Sequence, residues 1–333
     1  MVKAPKIQLG EAICPLGFLV DSYGEGRVAC TPEKRAGLQL EIGEMVTSPS
    51  ADTCEHGTPR SELESLVGKL INLATVVVEG RAHLEPFYRT LRSKYTIQTR
   101  RGAMRVHPSR VRLTGSGETQ VATQRDASWW VAALQNDMQL PLAPRLHFAS
   151  VGDAGCVVTF QDAARGLGTG LGGFAPFVCD SGISKQMLII SEDWPSDLQQ
   201  SLFHNELSMP AGELFALVCL ASSVHHHVGA VSHVIAFSDS DPAARAINYG
   251  ASGSPQLQAL LLWFFEMCPH LQSLAIWLPG KQNTRSDALS RGRRKALAAI
   301  SEAEDNGWHP HLLPLPPRAF EVLRTIAKLP HGA

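Results

Sequence analysis

The stretch GCVVTFQDAARGLGTGLGGFAPFV, residues 155–178, decides the fold class of this chain. Residues 155–164 are rich in β-branched and aromatic side chains and predict a strand that ends in Asp162. The glycine-rich residues that follow predict a second strand, and KQMLIIS at 185–191 predicts a third. The chain has 333 residues, enough for about two domains, and this change of pattern places the start of a domain at about residue 151.

Helices and strands alternate after these three strands. The order of three strands, helix, strand, helices, strand and helix predicts an α/β domain with a mixed sheet. A Pro-rich turn and a last short helix are expected to follow. The predicted elements are a helix at 210–224, a strand at 232–241, helices at 241–250 and 254–268, a strand at 271–279, a single closing helix at 284–300 and the turn at 310–317.

Four acidic residues lie at the ends of these predicted elements. Asp162 and Asp239 end strands, Glu213 lies in the first turn of a helix, and Asp287 lies near the start of the closing helix. In open α/β sheets, sites form at the carboxyl ends of the strands, so these side chains are expected to converge there. Any one of them could instead cap a helix or form a turn, and Asp241 before a proline could be the cap of the next helix.

Converging carboxylates repel one another in a partly dry pocket unless a cation lies between them. A ligand set of oxygens without His or Cys favours Mg²⁺ or Mn²⁺ over zinc. Two such ions activate a water and stabilise the leaving oxygen of a phosphodiester. The four acids therefore predict metal-assisted phosphoryl transfer, with two Mg²⁺ as cofactors and Mn²⁺ as the alternative.

The composition of the chain limits which partners and which cellular compartment are expected. The formal net charge is only -1, so evidence for a nucleic-acid partner must be local. Seven scattered cysteines without a C-x-x-C pair predict reduced thiols in an intracellular protein, in the cytoplasm or the nucleus, and no zinc knuckle. The longest apolar run, ALLLWFF at 259–265, is too short to span a bilayer, so a soluble protein with no membrane partner is expected.

The N-terminal half is predicted to begin with strands at 15–21 and 27–30 and a helix capped by Thr31. Ser61 and Glu64 have capping-box spacing at the start of the next helix. A second helix is expected around residues 81–95. One stripe of the first of these two helices is apolar and predicts its buried face: Leu63, Leu66, Val67, Leu70, Leu73, Ala74 and Val77.

The most basic stretch of the chain follows these helices. From Arg89 to Arg112 there are eight Lys or Arg residues and no acid. A solvated helix face would explain an isolated charge run, but the missing acids favour contact with phosphates. The predicted nucleic-acid contacts of this stretch are Arg89, Arg92, Lys94, Arg100 and Arg101.

Four blocks of the second half resemble the ribonuclease H domain of retroelement polymerases: TFQDAARGLGTGLGG, AGELFAL, FSDSDPAARAIN and WLPGKQNTRSDALSR. Upstream, KIQLG, CPLGFLVD, SLVGKLINLATVVVEGRAHLEPFYR and DASWWVAAL resemble the segments after the reverse-transcriptase active site, most of all in tyrosine-recombinase-type (DIRS-like) elements. The resemblance implies a ribonuclease H-like mixed five-stranded sheet with flanking helices, preceded by a mainly helical thumb and connection region. The implied parts are the end of the palm (1–60), a thumb-like helical basic segment (61–112), a connection (113–150), a ribonuclease H-like domain (151–295) and a helical tail (296–333).

The resemblance also implies a function. The chain would be an endonuclease that cleaves the RNA strand of RNA–DNA hybrids and leaves a 5′-phosphate and a 3′-hydroxyl. The four acids would be its metal-binding catalytic residues, and the partners would be a hybrid together with a separate polymerase or an upstream palm. Further nucleic-acid contacts are predicted at Lys281, Asn283, Arg285 and Arg291. For Lys281 and Arg285, a plain surface loop is an equally good interpretation.

The chain departs from the family pattern at several positions. QDAA replaces the usual Thr-Asp-Ala-Ser, Leu167 replaces a Trp, Ser240 replaces an Asn, and no His lies between Gly280 and Asp287. No Asp-Asp dipeptide occurs, so the chain is expected to be unable to copy nucleic acid by itself. These departures favour the alternative of a degenerate retroelement remnant that binds nucleic acid without turnover. An exonuclease or an integrase-like nuclease is a third possibility.

Other motifs support different chemistry less well. GTGLGG at 168–173 fits the dinucleotide fingerprint, but the residues after it predict a strand where that motif needs a helix. Its glycines are interpreted as room for a hybrid backbone on the sheet. The HNE at 204–206 lacks the cysteine motif of zinc deaminases. The adjacent histidines 225–227, with His233, are interpreted as a solvated turn.

Overall fold

The computed structural model describes residues 12–13, 18–21, 27–47, 57–74, 77–99, 102–106, 108–113, 116–135, 139–141, 155–178, 185–229, 231–269 and 271–330. The chain forms two compact units, residues 1–144 (the first unit) and 145–333 (the second unit). No helix in the described part of the chain combines the length and the apolar character needed to cross a bilayer.

The first unit contains β1 (Ala12–Ile13), β2 (Phe18–Asp21), β3 (Arg27–Cys30), α1 (Pro32–Thr47), β4 (Thr58–Pro59), α2 (Arg60–Leu73), a 3₁₀ helix (Val78–Leu84), α3 (Glu85–Arg92), β5 (Tyr95–Thr99), β6 (Gly102–Val106), β7 (Arg110–Val111), α4 (Glu118–Gln135) and β8 (Gln139–Pro141). The strands pair in three small sheets, β1-β2-β3-β8, β4-β7 and β5-β6, and every pair is antiparallel.

The core of the first unit is built on the apolar stripe predicted for α2. All seven side chains of that stripe are buried. Trp130 of α4 is buried with them, and its Nε1 donates to the backbone oxygen of His83 over 3.3 Å. The predicted cap of α1 is also present, since Thr31 Oγ1 accepts from the amide of Lys34 at 3.4 Å.

One prediction for the first unit is wrong, and the second predicted helix is present but ends early. The capping box is absent because α2 begins at Arg60, whose Nε donates to Glu64 Oε1 over 2.9 Å. The helix expected around residues 81–95 ends at Arg92, and the β5–β6 hairpin follows it. The β-branched residues of YTIQT favour extended backbone, and the hairpin supplies their hydrogen-bond partners.

The second unit contains β9 (Cys156–Ala163), β10 (Gly170–Val178), β11 (Lys185–Asp193), α5 (Ser196–Phe203), α6 (Met209–Val228), β12 (His233–Ser238), α7 (Asp241–Tyr249), α8 (Pro255–Met267), β13 (Gln272–Trp277), a 3₁₀ turn (Gly280–Gln282), α9 (Thr284–Ser290), α10 (Arg293–Asp305), β14 (His309–Leu312) and α11 (Ala319–Ala327). Helix α6 is buried from Ala211 to Val224 and forms the centre of the core.

The sheet of the second unit is mixed, with the strand order β13-β12-β9-β10-β11-β14. Strand β10 is antiparallel to β9 and β11, whereas β12 is parallel to both β9 and β13. The predicted α/β class and mixed sheet are therefore confirmed, with six strands among the described residues in place of the expected five. The additional strand, β14, overlaps the start of the stretch predicted as a Pro-rich turn and pairs in parallel with β11.

The glycines of β10 are internal to the fold. A Cβ on Gly172 would lie 2.4 Å from the backbone of Leu289 in α9, and one on Gly173 would lie 2.9 Å from Leu220 of α6. Neighbouring residues of one strand point to opposite faces, so β10 passes between two helices at this point. These two glycines make room for helices, contrary to the prediction that they make room for a nucleic-acid backbone.

The helices around the sheet differ from the prediction in three places. Helix α5 was not predicted. The predicted closing helix is two helices, because Gly292 (φ 87°) interrupts the helical backbone between α9 and α10. The histidines 225–227 lie in the last turn of α6 and not in a loop. The helix ends at Val228 and is followed by Gly229 with φ 72°.

Candidate metal and nucleic-acid sites

Three of the four predicted acids meet at one edge of the sheet in the second unit. Asp162 is near the end of β9, Asp239 directly follows β12, and Glu213 lies in α6 just after its first turn. One carboxylate oxygen of each lies within 4.8 Å of the others. Asp162, Glu213 and Asp239 are called the acidic triad below.

Asp287 lies close to the triad but outside this group. Its Oδ1 accepts a hydrogen bond of 2.6 Å from Nε of Arg291, one turn later in the chain. Its charge nevertheless contributes to raising the pKa of each triad member. Of the four acids expected to converge, three are therefore in mutual reach and the fourth is paired with an arginine.

The surroundings of the acidic triad disfavour the ionised form of its carboxyl groups. Burial raises the pKa of Asp162 to about 6. The charges of Asp239 and Asp287 also raise this pKa, whereas the hydrogen bond from Ser290 lowers it. Burial raises the pKa of Glu213 well above its usual value, and Asp162 and Asp239 raise it further. Burial also raises the pKa of Asp239, again with a contribution from Asp287. A divalent cation among these oxygens would relieve the repulsion, which suits Mg²⁺ or Mn²⁺.

Hydrogen bonds orient two members of the triad. Glu213 Oε2 accepts from the backbone amide of Ala163 over 3.1 Å, so α6 is tied to the end of β9. Ser290, at the end of α9, donates its hydroxyl to Asp162 Oδ2. The close approach of α9 to Gly172, which pairs with Asp162 in the sheet, brings this hydroxyl into reach.

The third acid is positioned by the strand β13 and the turn after it. The indole Nε1 of the exposed Trp277 donates to the backbone oxygen of Asp239 over 3.0 Å. A Cβ on Gly280 would lie 2.9 Å from Asp239 Oδ2, so the turn after β13 passes close to this carboxylate. Sequence reasoning missed Ser290 and Trp277. The signal for Ser290 was present, because it lies one turn after Asp287 in a helix.

Two predicted contacts at the start of α9 have different surroundings. Lys281 is exposed in the 3₁₀ turn. Asn283 is buried and its Nδ2 donates to the backbone oxygen of Gln161 over 2.9 Å. This position holds the turn onto β9 and is contrary to the prediction that Asn283 contacts nucleic acid.

Arg285 lies against the sheet. Its guanidinium is 5.4 Å from the centre of the Phe174 ring, and its Nη2 is 3.7 Å from Glu302 Oε1. These side chains line a cavity of about 310 Å³ between the sheet and helices α9 and α10. Arg285 is therefore engaged within the unit, while part of its side chain stays accessible.

The basic stretch of the first unit forms a cleft of about 500 Å³. Four arginines line it: Arg89, Arg92, Arg110 and Arg112, together called the arginine cleft below. Arg110 and Arg112 were not among the predicted contacts. Lys94 is exposed but does not line this cleft, and Arg100 and Arg101 lie outside the described residues.

The acids near the cleft neutralise it weakly. Arg89 Nη1 is 3.9 Å from Glu118 Oε1, and Arg92 Nη1 is 3.9 Å from Glu85 Oε1. Partly exposed pairs at this separation contribute little and exchange readily with another anion. The cleft also has a hydroxyl and an amide side chain that can donate to phosphate oxygens, from Thr119 and Gln120.

Comparison with known proteins finds similarity among solved structures. No protein-family model matches the chain, and no curated protein matches it. Ribonuclease H1 from the archaeon Halobacterium salinarum NRC-1 is 17% identical over 43% of this chain and 98% of its own, with a TM-score of 0.30. The N-terminal ribonuclease H domain of a Mycobacterium tuberculosis protein, solved as a fusion with maltose-binding protein, is 16% identical over 44% of this chain and 98% of its own, with a TM-score of 0.29. The foamy viral protease–reverse transcriptase in complex with an RNA/DNA hybrid is 14% identical over 80% of this chain and 29% of its own, with a TM-score of 0.29.

Proposed function

We propose that the second unit is a divalent-metal-dependent endonuclease that cleaves the RNA strand of RNA–DNA hybrids. The observation that carries this proposal is the acidic triad, whose three oxygens lie within 4.8 Å of one another at the edge of a ribonuclease H-like sheet. The choice of hybrid as substrate is supported by the resemblance of the four sequence blocks.

The donor set fits a hard cation. Asp162, Glu213 and Asp239 would hold one Mg²⁺, and Asp287 would serve a second. Such ions lower the pKa of a bound water and stabilise the leaving oxygen of a phosphodiester. The protein's own part is to fix Asp162 through Ser290 and Glu213 through the amide of Ala163. It also keeps these acids out of bulk water.

The test is cleavage of a hybrid that carries a label on its RNA strand. Asp162→Asn and Asp239→Asn are each expected to lower the rate by at least about 100-fold, because each removes one of the charges that hold the cation. Asp241→Asn is the matched control, since Asp241 follows the same strand but pairs with Arg245 on the surface (2.9 Å). Full cleavage by both triad variants would overturn the proposal.

The choice of substrate separates related nucleases. Selectivity for the RNA strand comes from contacts to its 2′-hydroxyl groups and from the shape of the hybrid. We expect cleavage of the hybrid and none of duplex DNA or single strands of the same sequence. The products should carry a 5′-phosphate and a 3′-hydroxyl. Preferential digestion of single strands or of duplex DNA would instead indicate an exonuclease or an integrase-like enzyme.

The second candidate function is binding of nucleic acid without turnover. The pairing of Asp287 with Arg291 and the arginine cleft of the first unit favour it. It predicts hybrid binding whose log affinity falls by about 0.9 per phosphate contact for each log unit of salt. It also predicts no cleavage in Mg²⁺ or Mn²⁺, which the same assay distinguishes from the first candidate.

The origin of the chain is a separate proposal. Its division into palm end, thumb, connection, ribonuclease H domain and tail, and its derivation from a DIRS-like element, are supported by the resemblance of the sequence blocks. A gene for a palm with the paired aspartates, in frame upstream or encoded nearby with a tyrosine recombinase, is the expected observation. An upstream region without either would contradict it.

A further inference from the structure

Asp287 and Arg291 form the only ion pair among the described residues that includes one of the four predicted acids. They are four residues apart and face the same side of α9. Both side chains are partly exposed, Asp287 at 39% and Arg291 at 46%, so the pair can open without unfolding the helix. The positive charge of Arg291 also lowers the pKa of Asp162, which places it within electrostatic reach of the triad.

We propose that Arg291 is a built-in counter-ion for Asp287, so that the acidic triad takes the first divalent cation and a second binds more weakly as long as Arg291 stays paired with Asp287. This inference rests on the proposed metal-dependent function and adds an order of binding to it. Arg291 is then a positioning residue that acts through Asp287.

Competition for one carboxylate is the physical basis. Arg291 occupies one oxygen of Asp287 over 2.6 Å, and its positive charge repels a cation that approaches the other oxygen. A second divalent ion therefore gains less from Asp287 while this pair is closed than after it opens. Among the described residues the triad has no such paired cation, because the side-chain and amide groups that donate to Asp162 and Glu213 are uncharged: the hydroxyl of Ser290 and the amide of Ala163.

The end of α9 keeps the position of Arg291 fixed while its side chain stays movable. The next residue, Gly292, has φ 87°, and a Cβ there would lie 2.3 Å from the backbone oxygen of Gly168. The backbone of this turn is therefore held against the loop between β9 and β10. A released Arg291 would stay near the acids, where a guanidinium can bind a phosphate of the bound strand. Its predicted role in nucleic-acid contact would then begin when its pairing with Asp287 ends.

The test is a titration of the full chain with Mn²⁺. Calorimetry measures the heat of binding, and electron paramagnetic resonance measures the concentration of the free ion. The wild type is expected to bind one ion tightly and a second more weakly. Arg291→Gln should tighten the second step by up to about five-fold, the upper size of an exposed ion pair, and leave the first step unchanged. Arg291→Lys keeps the charge, and its second step should stay close to that of the wild type.

Two further variants complete the design. Asp287→Asn should lose the second step and keep the first. Arg245→Gln is the matched control, because Arg245 forms a surface pair with Asp241 at the same spacing of four residues, and it should bind both ions as the wild type does. An unchanged second step in Arg291→Gln, or two equal steps in the wild type, would overturn this inference alone. If the wild type binds no Mn²⁺, or if Asp162→Asn binds Mn²⁺ as the wild type does, the metal-dependent function is overturned as well.

Discussion

The two units of this chain concentrate opposite charges in opposite environments. In the second unit, Asp162 and Glu213 are only 5% and 7% exposed, and burial with mutual repulsion raises the pKa of each. In the first unit, the arginines of the cleft meet solvent, and the side chain of Arg92 is 69% exposed. Buried like charges act as one unit that a single substitution disables, whereas exposed charges contribute separately and are screened by salt. The difference supports the proposed division of roles, in which the acids carry the chemistry and the arginines retain an anionic chain.

The largest effect short of lost cleavage should appear in the pH dependence of stability. The folded pKa of Asp162 is about 6 against an ordinary 3.8, so the folded state prefers the protonated acid. The contribution of this group to the free energy of unfolding is fully present below about pH 4 and is lost as the pH rises through about 6. The change amounts to about 3 kcal/mol. Without metal, Asp162→Asn should therefore gain unfolding free energy over the wild type by about that amount between pH 4 and pH 7.5.

Urea unfolding in a chelator, at several pH values, measures this difference. Asp241→Asn, at an exposed position, is the control and should show no such gain. A difference between wild type and Asp162→Asn that stays constant with pH would show that the acid is not held in a costly ionised state. The comparison between buried and exposed charge would then fail.

The packing that builds the triad is tested by Gly172→Ala. The added methyl group would lie 2.4 Å from the backbone of Leu289 and of Ser290, so α9 must shift. Overpacking of this kind costs about 1–3 kcal/mol, and the shift also moves the Ser290 hydroxyl away from Asp162. Thermal unfolding and hybrid cleavage should both be impaired.

Gly253→Ala is the control for this change, because a Cβ there meets nothing within 4 Å. A Gly172→Ala protein that keeps wild-type stability and cleavage would show that α9 does not need its close approach to β10. The role assigned to Ser290 as the residue that holds Asp162 would lose its support.

The smallest expected effect belongs to single arginines of the cleft. Arg110→Ala or Arg89→Ala should weaken binding of a hybrid by about five-fold at low salt and reduce the salt slope by about one. Filter binding or fluorescence anisotropy across a range of salt concentrations measures both quantities. Arg318→Ala, in an exposed pair with Glu321 of the second unit, is the control. A cleft variant with an unchanged salt slope would contradict the assignment of the cleft to phosphate.

The sequence predicted the sheet and the triad because both depend on local pattern. Strand ends place Asp162 and Asp239, and the order of strands and helices brings Glu213 to the same edge. The fourth acid could not be placed in this way. Asp287 faces both the triad and Arg291, and which of the two it contacts depends on tertiary geometry that no periodicity encodes.

Two other features that were predicted wrongly had a signal in the sequence. Gly229 and Gly292 have positive φ, and glycine in that conformation commonly ends a helix. Those glycines would have placed the histidines 225–227 inside α6 and divided the closing helix. The packing of Gly172 against α9 gave no local signal, since a glycine-rich strand also fits a surface that admits a ligand.

The claim on which the account depends is that the acidic triad holds a divalent cation. Crystals of the full chain grown with Mn²⁺, measured at the manganese edge, test it most directly. We expect an anomalous peak roughly 2.1–2.3 Å from one oxygen each of Asp162, Glu213 and Asp239. A structure with Mn²⁺ present and no peak at these three oxygens, or with the carboxylates turned away from one another, would contradict the account.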